Sequence, residues 1–200
     1  SQIYFTRSTD QGQTFTMPFR ISDTGGDCLD SDNTVEGAVP AVGPNGEVYI
    51  VWAGPLGLVF DKSMVGGLSF GKDKVISDMP GGWDFEIDGL TRANGMPVTG
   101  VDLSNGPNKG TIYVNWIDAR NGDPDVFVMS SRNGGDTWSG PVRVNDDRVK
   151  NGKEQFFTWM SVDPADGSIN IVFYDRRDAT GTQTRLTLAR SVVGGRTFVD

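Results

Sequence analysis

The chain of 200 residues carries 36% hydrophobic and 10% aromatic residues and a net charge of −8, enough apolar material for a core and too little charge for a disordered chain. Its basic residues are scattered, which argues against a nucleic-acid partner, and no run reaches the roughly 18 apolar residues of a membrane span. Cys28 is the only cysteine and histidine is absent, so disulfide frameworks, cysteine or imidazole metal sites and Ser-His or Cys-His catalysis are excluded, leaving chemistry to carboxylates, Tyr, Arg, Lys or a bound metal.

The chain opens at Ser1-Gln2-Ile3-Tyr4-Phe5, with neither Met nor a basic-then-apolar leader, so any secretion signal is expected to be missing or already removed. Alternation predicts strands over 3–7 and 15–21. The stretch DTGGDCLDSDNTVE, 23–36, gathers Asp23, Asp27, Asp30, Asp32 and Glu36. Oxygen-rich loops can hold Ca²⁺; the EF-hand order is absent, and the competing reading is a solvated acidic loop. Asn45-Gly46 is a hairpin turn leading into Val48, Ile50 and Trp52. The loop PGGWDFEIDGLTR, 80–92, offers Trp83, Asp84, Phe85, Glu86, Asp88 and Arg92, suited to sugar stacking and polar recognition, or equally to a loop that buries its own aromatics.

Gly110 ends a longer version of the hairpin turn, before Ile112, Val114 and Trp116. In FFTWMSVD, 156–163, Trp159 and its neighbours read as an inner strand and core. Asp166-Gly167 is a third hairpin turn, before Ile169, Ile171 and Phe173. WIDARNGDPD (116–125) and FYDRRDATG (173–181) match in register, with Asp118 against Asp175 and Arg120 against Arg177. Such an Asp and Arg, two apart at a strand end, can brace the link that follows; alternatively Arg120, Arg176 and Arg177 face an anionic sugar through bidentate bonds. No segment keeps a 3.6-residue apolar stripe, so the fold class is all-β.

Four segments repeat: STDQGQTF from Ser8, SMVGGLSF from Ser63, SRNGGDTW from Ser131 and SVVGGRTF from Ser191. Fifteen residues after the first three serines stand Asp23, Asp78 and Asp146, and six residues after Gly46, Gly110 and Gly167 stand Trp52, Trp116 and Phe173. The unit's glycine (Gly12, Gly67, Gly135, Gly195) permits a backbone that a Cβ penalises, and Asp10 and Asn133 can accept from backbone N–H groups of the turn. Its last residue (Phe15, Phe70, Trp138, Phe198) is expected to anchor the turn on the apolar layer. Val65 and Val193 lack the acceptor, so those two copies should hold less tightly.

This unit resembles the Asp-box, or BNR repeat, of sialidase-like β-propellers, whose pattern is Ser-x-Asp-x-Gly-x-Thr-Trp; STDQGQTF keeps the Asp, and SRNGGDTW has Asn there. The resemblance implies four-stranded antiparallel blades, about three and a half of them: an outer half-blade over 1–22 and further blades over 36–78, 91–146 and 156–200. An open half-propeller leaves bare sheet edges. The remaining blades are therefore expected from the same longer chain or from another subunit.

In such a blade the short hairpin and Asp-box turns share one face. The long, varied links at 23–38, 53–57, 78–97, 117–124, 146–157 and 174–184 share the other, where sites are expected. Two functions fit. The first is a secreted or cell-surface propeller that binds a glycan or protein or serves as a scaffold, needing no cofactor, with Ca²⁺ at the acidic loop as the one optional ion. The second is a glycoside hydrolase of exo-α-sialidase type. That family uses an arginine cluster, a Tyr nucleophile activated by Glu and an Asp acid/base. Tyr174, Asp175 and Arg177 are the local candidates, the family's Arg-Ile-Pro segment is absent, and a complete site would need chain outside these residues.

Overall fold

Branched and aromatic residues at alternate positions, punctuated by Asn-Gly and Asp-Gly, give strands and tight turns and nothing else. The computed structural model describes residues 1–200 and contains fifteen strands and no helix. β1 (Tyr4–Phe5) and β2 (Phe19–Arg20) form an antiparallel pair. A four-stranded meander follows: β3 (Glu36–Val42), β4 (Val48–Gly54), β5 (Gly57–Ser63) and β6 (Lys74–Ser77). A small hairpin of β7 (Asp84–Phe85) and β8 (Ala93–Asn94) precedes a second meander of β9 (Val98–Val101), β10 (Ile112–Asp118), β11 (Asp125–Ser131) and β12 (Val142–Arg143). The last sheet is β13 (Gln155–Val162), β14 (Ile169–Asp175) and β15 (Arg185–Ser191), with one bridge from Arg190 to Val199 beginning a fourth strand. These sheets are arranged as blades of a β-propeller, with β3, β9 and β13 side by side around the axis.

The three central strands share one register, each beginning two residues after its hairpin glycine. Trp52, Trp116 and Phe173 hold one position, and all are buried. One face of each central strand looks back and the other forward, so three apolar layers form: Ile50 and Trp52 against Ile3 and Ile21, then Val114 and Trp116 against Val51 and Phe60, then Ile171 and Phe173 against Ile117 and Val128.

The repeated eight-residue turn belongs to this packing. Its serine hydroxyl accepts the glycine N–H in all four copies: Gly12 to Ser8 at 2.8 Å, Gly67 to Ser63 at 2.8 Å, Gly135 to Ser131 at 2.9 Å and Gly195 to Ser191 at 3.0 Å. Asp10 and Asn133 each accept the N–H four residues on, from Thr14 and Thr137, both at 2.9 Å; the valine copies have no such bond. The glycine is required twice over, by φ of +85° at Gly135 and because a Cβ there would lie 2.2 Å from the Phe60 ring of the preceding blade.

The terminal aromatic also leans on the preceding blade. Phe70 meets Phe5 at 4.9 Å between ring centroids, and Trp138 meets Phe60 at 5.2 Å. Phe198 packs on the layer between the last two blades. Phe15 corrects the expectation of an anchor in every copy: it is 63% exposed, because no sheet precedes β1 and β2.

The forward face of the last sheet is uncovered. Leu186 and Leu188 stand where Leu58 and Phe60, or Val126 and Val128, stand in earlier blades. Those four are buried, whereas Leu186 and Leu188 are 70% and 55% exposed. Tyr174, also exposed, holds the position of buried Ala53 and Ile117.

Candidate functional site

The strands put the long links on one face, and these links are fastened to one another. Asp118 is fully buried at the end of β10. It accepts from the indole Nε1 of Trp116 at 2.7 Å, from the Arg120 amide at 3.0 Å and from Arg120 Nε at 2.9 Å. The guanidinium lies over Phe127 at 4.9 Å and reaches back to Asp78 at the exit of the preceding blade. Asp175 repeats the arrangement with the Arg177 amide at 2.9 Å and Nε at 2.6 Å, and Arg177 reaches back to Asp146 and on to Asp200. The aspartate fifteen residues beyond Ser63 and beyond Ser131 is thus the acceptor for the next blade's arginine. Asp23 has no such arginine, since Leu56 stands there, and it accepts the Asp73 amide at 3.0 Å instead.

These pairs answer the arginine reading. Arg120 and Arg177 are saturated by carboxylates, and Arg176 is buried, donating to Asp88 O at 2.8 Å and Thr184 Oγ1 at 3.1 Å beside Glu154. Burial pushes the Asp175 carboxyl up, but hydrogen bonds from the Arg177 amide, Gln155 and Thr187 outweigh it and hold it below the usual carboxylate range. Burial likewise pulls the Arg177 guanidinium down, and its bond to Asp200 and the Asp175 charge raise it overall. Tyr174 does not converge with the Asp175–Arg177 pair: consecutive strand residues project to opposite faces, so the exposed Tyr174 ring lies beside Phe156 and Phe157 while Asp175 points inward.

The four candidate metal ligands also part ways. Asp32 accepts the amides of Trp83 at 2.7 Å and Asp84 at 2.8 Å. Asp30 pairs with Arg92 at 2.7 Å, Asp23 faces Asp73, and Asp27 is held through its backbone, by Asn33 O and the Ser1 ammonium. No group of three or more acidic or sulfur side chains is placed to hold a metal ion. In physical terms these aspartates are clasps between links.

Clasping gives the loop 80–92 its form. Asp32 holds it from one side, the Ala119 amide donates to Pro80 O at 2.8 Å, and Arg176 holds Asp88 O from the other. Between these fixings the loop alternates like a strand. Trp83, Phe85 and Ile87 point inward and are buried, whereas Asp84, Glu86 and Asp88 point outward. The aromatics are therefore loop core, and Trp83 cannot stack on a ligand; Arg92 covers it at 5.6 Å from the ring centroid. What faces solvent is a row of three carboxylates that no cation pairs, around a hollow of about 450 Å³ with Thr91 and Arg92 on its rim.

A second hollow, of about 320 Å³, opens on the axis at the loop-face ends of the three innermost strands. Equivalent residues line it: Gly37 and Val39 from β3, Met96 and Val98 at β9, Phe157 and Trp159 from β13. Trp159 is on an inner strand as expected, but it is 59% exposed and not core, because it pairs with Val172 on the uncovered side of the last sheet. The two hollows adjoin through β7 and β8, where Asp84 of the carboxylate row pairs with Asn94 of the axial wall.

No family model matches the chain, and no curated protein matches it. Solved structures do. A Hadza microbial sialidase, Hz136, is similar with a TM-score of 0.61 and 17% identity, over 100% of this chain and 40% of that one. The α-L-arabinofuranosidase Arb93A of Fusarium graminearum has a TM-score of 0.60 and 16% identity, over 90% and 51%. A Dyadobacter fermentans protein of unknown function has a TM-score of 0.64 and 17% identity, over 99% and 57%. The chain spans about half the length of these structures, and at such identity the likeness is one of fold.

Proposed function

We propose that the chain is part of a carbohydrate-binding β-propeller of the Asp-box type, secreted or at the cell surface, whose loop face takes a neutral, hydroxyl-rich glycan. The single observation that carries this reading is the row Asp84, Glu86 and Asp88: three unpaired carboxylates on a loop clamped at both ends. A carboxylate accepts two sugar hydroxyls at once, and a rigid loop loses little freedom on binding. The row repels an anionic sugar, while Arg120, Arg176 and Arg177, which would recognise one, are occupied within the protein. The similar sialidase and arabinofuranosidase propellers support a carbohydrate ligand in general.

The uncovered face of the last sheet is where a further blade packs, in line with the three apolar layers already present between sheets; a continuing chain or another subunit supplies it. A glycan array probed with the chain tests the binding reading, which predicts neutral glycans among the hits; hits confined to sialylated glycans, or none, contradict it.

A second reading, a glycoside hydrolase, is favoured by the same row, since paired carboxylates serve as acid and base in most such enzymes. Tyr174 enters this reading only if a base reaches it from a further blade. Turnover of 4-methylumbelliferyl sialoside or arabinofuranoside that survives Tyr174→Phe and disappears in Glu86→Gln would favour it over binding alone.

A further inference from the structure

The chain contains six Asn-Gly steps, at Asn45, Asn94, Asn105, Asn121, Asn133 and Asn151. In such a step the glycine amide nitrogen can attack the asparagine side chain, because no Cβ shields it and the backbone bends freely. The amide must first lose its proton, and an N–H held by a protein acceptor is protected from the water that removes it. Five of the six glycines are held in this way. Gly46 donates to Gly43 O at 3.1 Å, Gly95 to Trp83 O at 2.8 Å and Gly122 to Ala119 O at 2.9 Å. Gly106 donates to Ser104 Oγ at 3.0 Å and Gly152 to Asp123 Oδ2 at 2.7 Å. The Gly134 N–H donates to no protein group, and Asn133 before it is exposed.

Asn133 is also arranged as its own product would be. Its Oδ1 accepts the Thr137 amide at 2.9 Å and the Ser131 hydroxyl at 3.0 Å, two donors that stabilise the negative charge this oxygen gains during attack. Its Nδ2 donates to Thr137 Oγ1 at 2.9 Å. In the first repeat turn Asp10 makes the same three contacts as a carboxylate. It accepts the Thr14 amide at 2.9 Å, the Ser8 hydroxyl at 2.7 Å and the Thr14 hydroxyl at 2.6 Å. Exchange of the amide NH2 for an oxygen at position 133 therefore asks only that the Thr137 hydroxyl turn from acceptor to donor. A cation stands by for the new charge, since Lys62 Nζ of the preceding blade donates to Gly134 O at 2.8 Å.

We propose that Asn133–Gly134 is a site of self-modification, where deamidation of the folded chain turns the third repeat turn into a copy of the first. The Gly134 amide gives its proton to water, and its nitrogen bonds to Asn133 Cγ. The Cγ–Nδ2 bond breaks, and the side-chain nitrogen takes up a proton and leaves as ammonia. Water then adds to Cγ of the five-membered imide, the new Cγ–N bond opens, and an aspartate stands at position 133 with the backbone restored. Water adding at the main-chain carbonyl instead would give isoaspartate. That product lengthens the backbone inside the turn that the Gly135 amide closes on Ser131 Oγ at 2.9 Å, so aspartate is the product that fits.

The folded 200-residue chain is kept in weakly alkaline buffer, and peptide mapping by mass spectrometry follows the change from amide to acid at all six asparagines. The same chain unfolded in urea gives the rate of each step without structure. In the folded chain Asn133 is expected to convert at least about tenfold faster than any of the other five, and in urea all six are expected to fall within about threefold. Endoproteinase Asp-N, which cuts before aspartate and not before isoaspartate, is expected to cleave most of the converted chain at this position. Asn133→Asp, made directly, is expected to melt at or above the parent temperature and to keep slow hydrogen exchange at Thr137. Conversion of Asn133 no faster than that of the other five in the folded chain overturns the proposal. Isoaspartate as the main product, or an Asn133→Asp chain that melts below the parent, also overturns it, since either makes the reaction damage to the turn.

Discussion

Asp118 and Arg120, two residues apart at the end of β10, form a two-bond pair, Nε donating to Oδ1 at 2.9 Å and Nη2 to Oδ2 at 2.5 Å, that closes over the indole of Trp116. The carboxylate is fully buried and the guanidinium reaches the preceding blade, so one ion pair fixes both a link and an interface. Removing one partner strands the other. Asp118→Ala leaves Arg120 and the Trp116 Nε1 without their acceptor and is expected to cost about 3–5 kcal/mol. Asp118→Asn, which still accepts from the indole, is expected to cost less. Urea unfolding midpoints of the two variants check the order.

Asp61, buried on β5, predicts a pH dependence. It accepts the Lys62 amide at 2.7 Å and the Gly71 amide at 3.0 Å, and its other oxygen has no partner. Burial outweighs those bonds and pushes its carboxyl up to about 6. The folded chain then holds a proton that the unfolded chain has already lost. This group's contribution to stability is therefore greatest below pH 4 and declines as pH rises to about 6, by up to ~3 kcal/mol. In Asp61→Asn the melting temperature measured across this window should lose that decline, and the variant should exceed the parent at pH 8.

The repeated turns predict a local difference. Thr14 and Thr137 donate their amides to Asp10 and Asn133, and the hydrogen bonds from Thr14 hold the Asp10 carboxyl down at about 2. With Val65 and Val193 in that place, the amides of Ser69 and Thr197 have no such acceptor. Hydrogen exchange at Ser69 and Thr197 should be faster than at Thr14 and Thr137, and Val193→Asp should slow it at Thr197. Equal exchange in all four copies contradicts this.

The open face predicts an asymmetry between equivalent residues. Val128 is buried between two blades, and Leu188 holds the same position with nothing over it. Val128→Asp buries a charge without a partner and is expected to cost more than about 3 kcal/mol, whereas Leu188→Asp should stay within about 0.5 kcal/mol. Denaturation of both variants in urea measures the difference, and Leu188→Asp should also reduce binding of a hydrophobic dye.

Local chemistry made much of this legible in the sequence. The hairpin glycines and the Trp52, Trp116 and Phe173 register give the central strands, and the four spaced turns give the blades. Asp118 with Arg120, two residues apart, could be read as a brace. What stayed hidden depends on partners far along the chain. Asp32 meets Trp83 and Asp30 meets Arg92 only after two blades have packed, so the acidic stretch, open in sequence to a solvated loop or a Ca²⁺ site, contains aspartates that serve as clasps. The two-residue period that turns Trp83 inward and Glu86 outward was present in the loop, yet only the fastenings at Pro80 and Asp88 make that loop behave as a strand. Trp159 sits on an inner strand as its neighbours suggested, but burial also needs a covering sheet, and β13 to β15 lack one on that side.

The central claim is that the outward carboxylate row recognises a neutral glycan. Calorimetric titration of the parent chain and of the combined Asp84→Asn, Glu86→Gln and Asp88→Asn variant with the neutral glycan that binds best measures it most directly. The account predicts affinity at least about tenfold weaker in the variant at an unchanged melting temperature, since bonds to charged acceptors are each worth about 1.5–3 kcal/mol. Equal affinity in the two proteins, or a variant that binds more tightly, contradicts it.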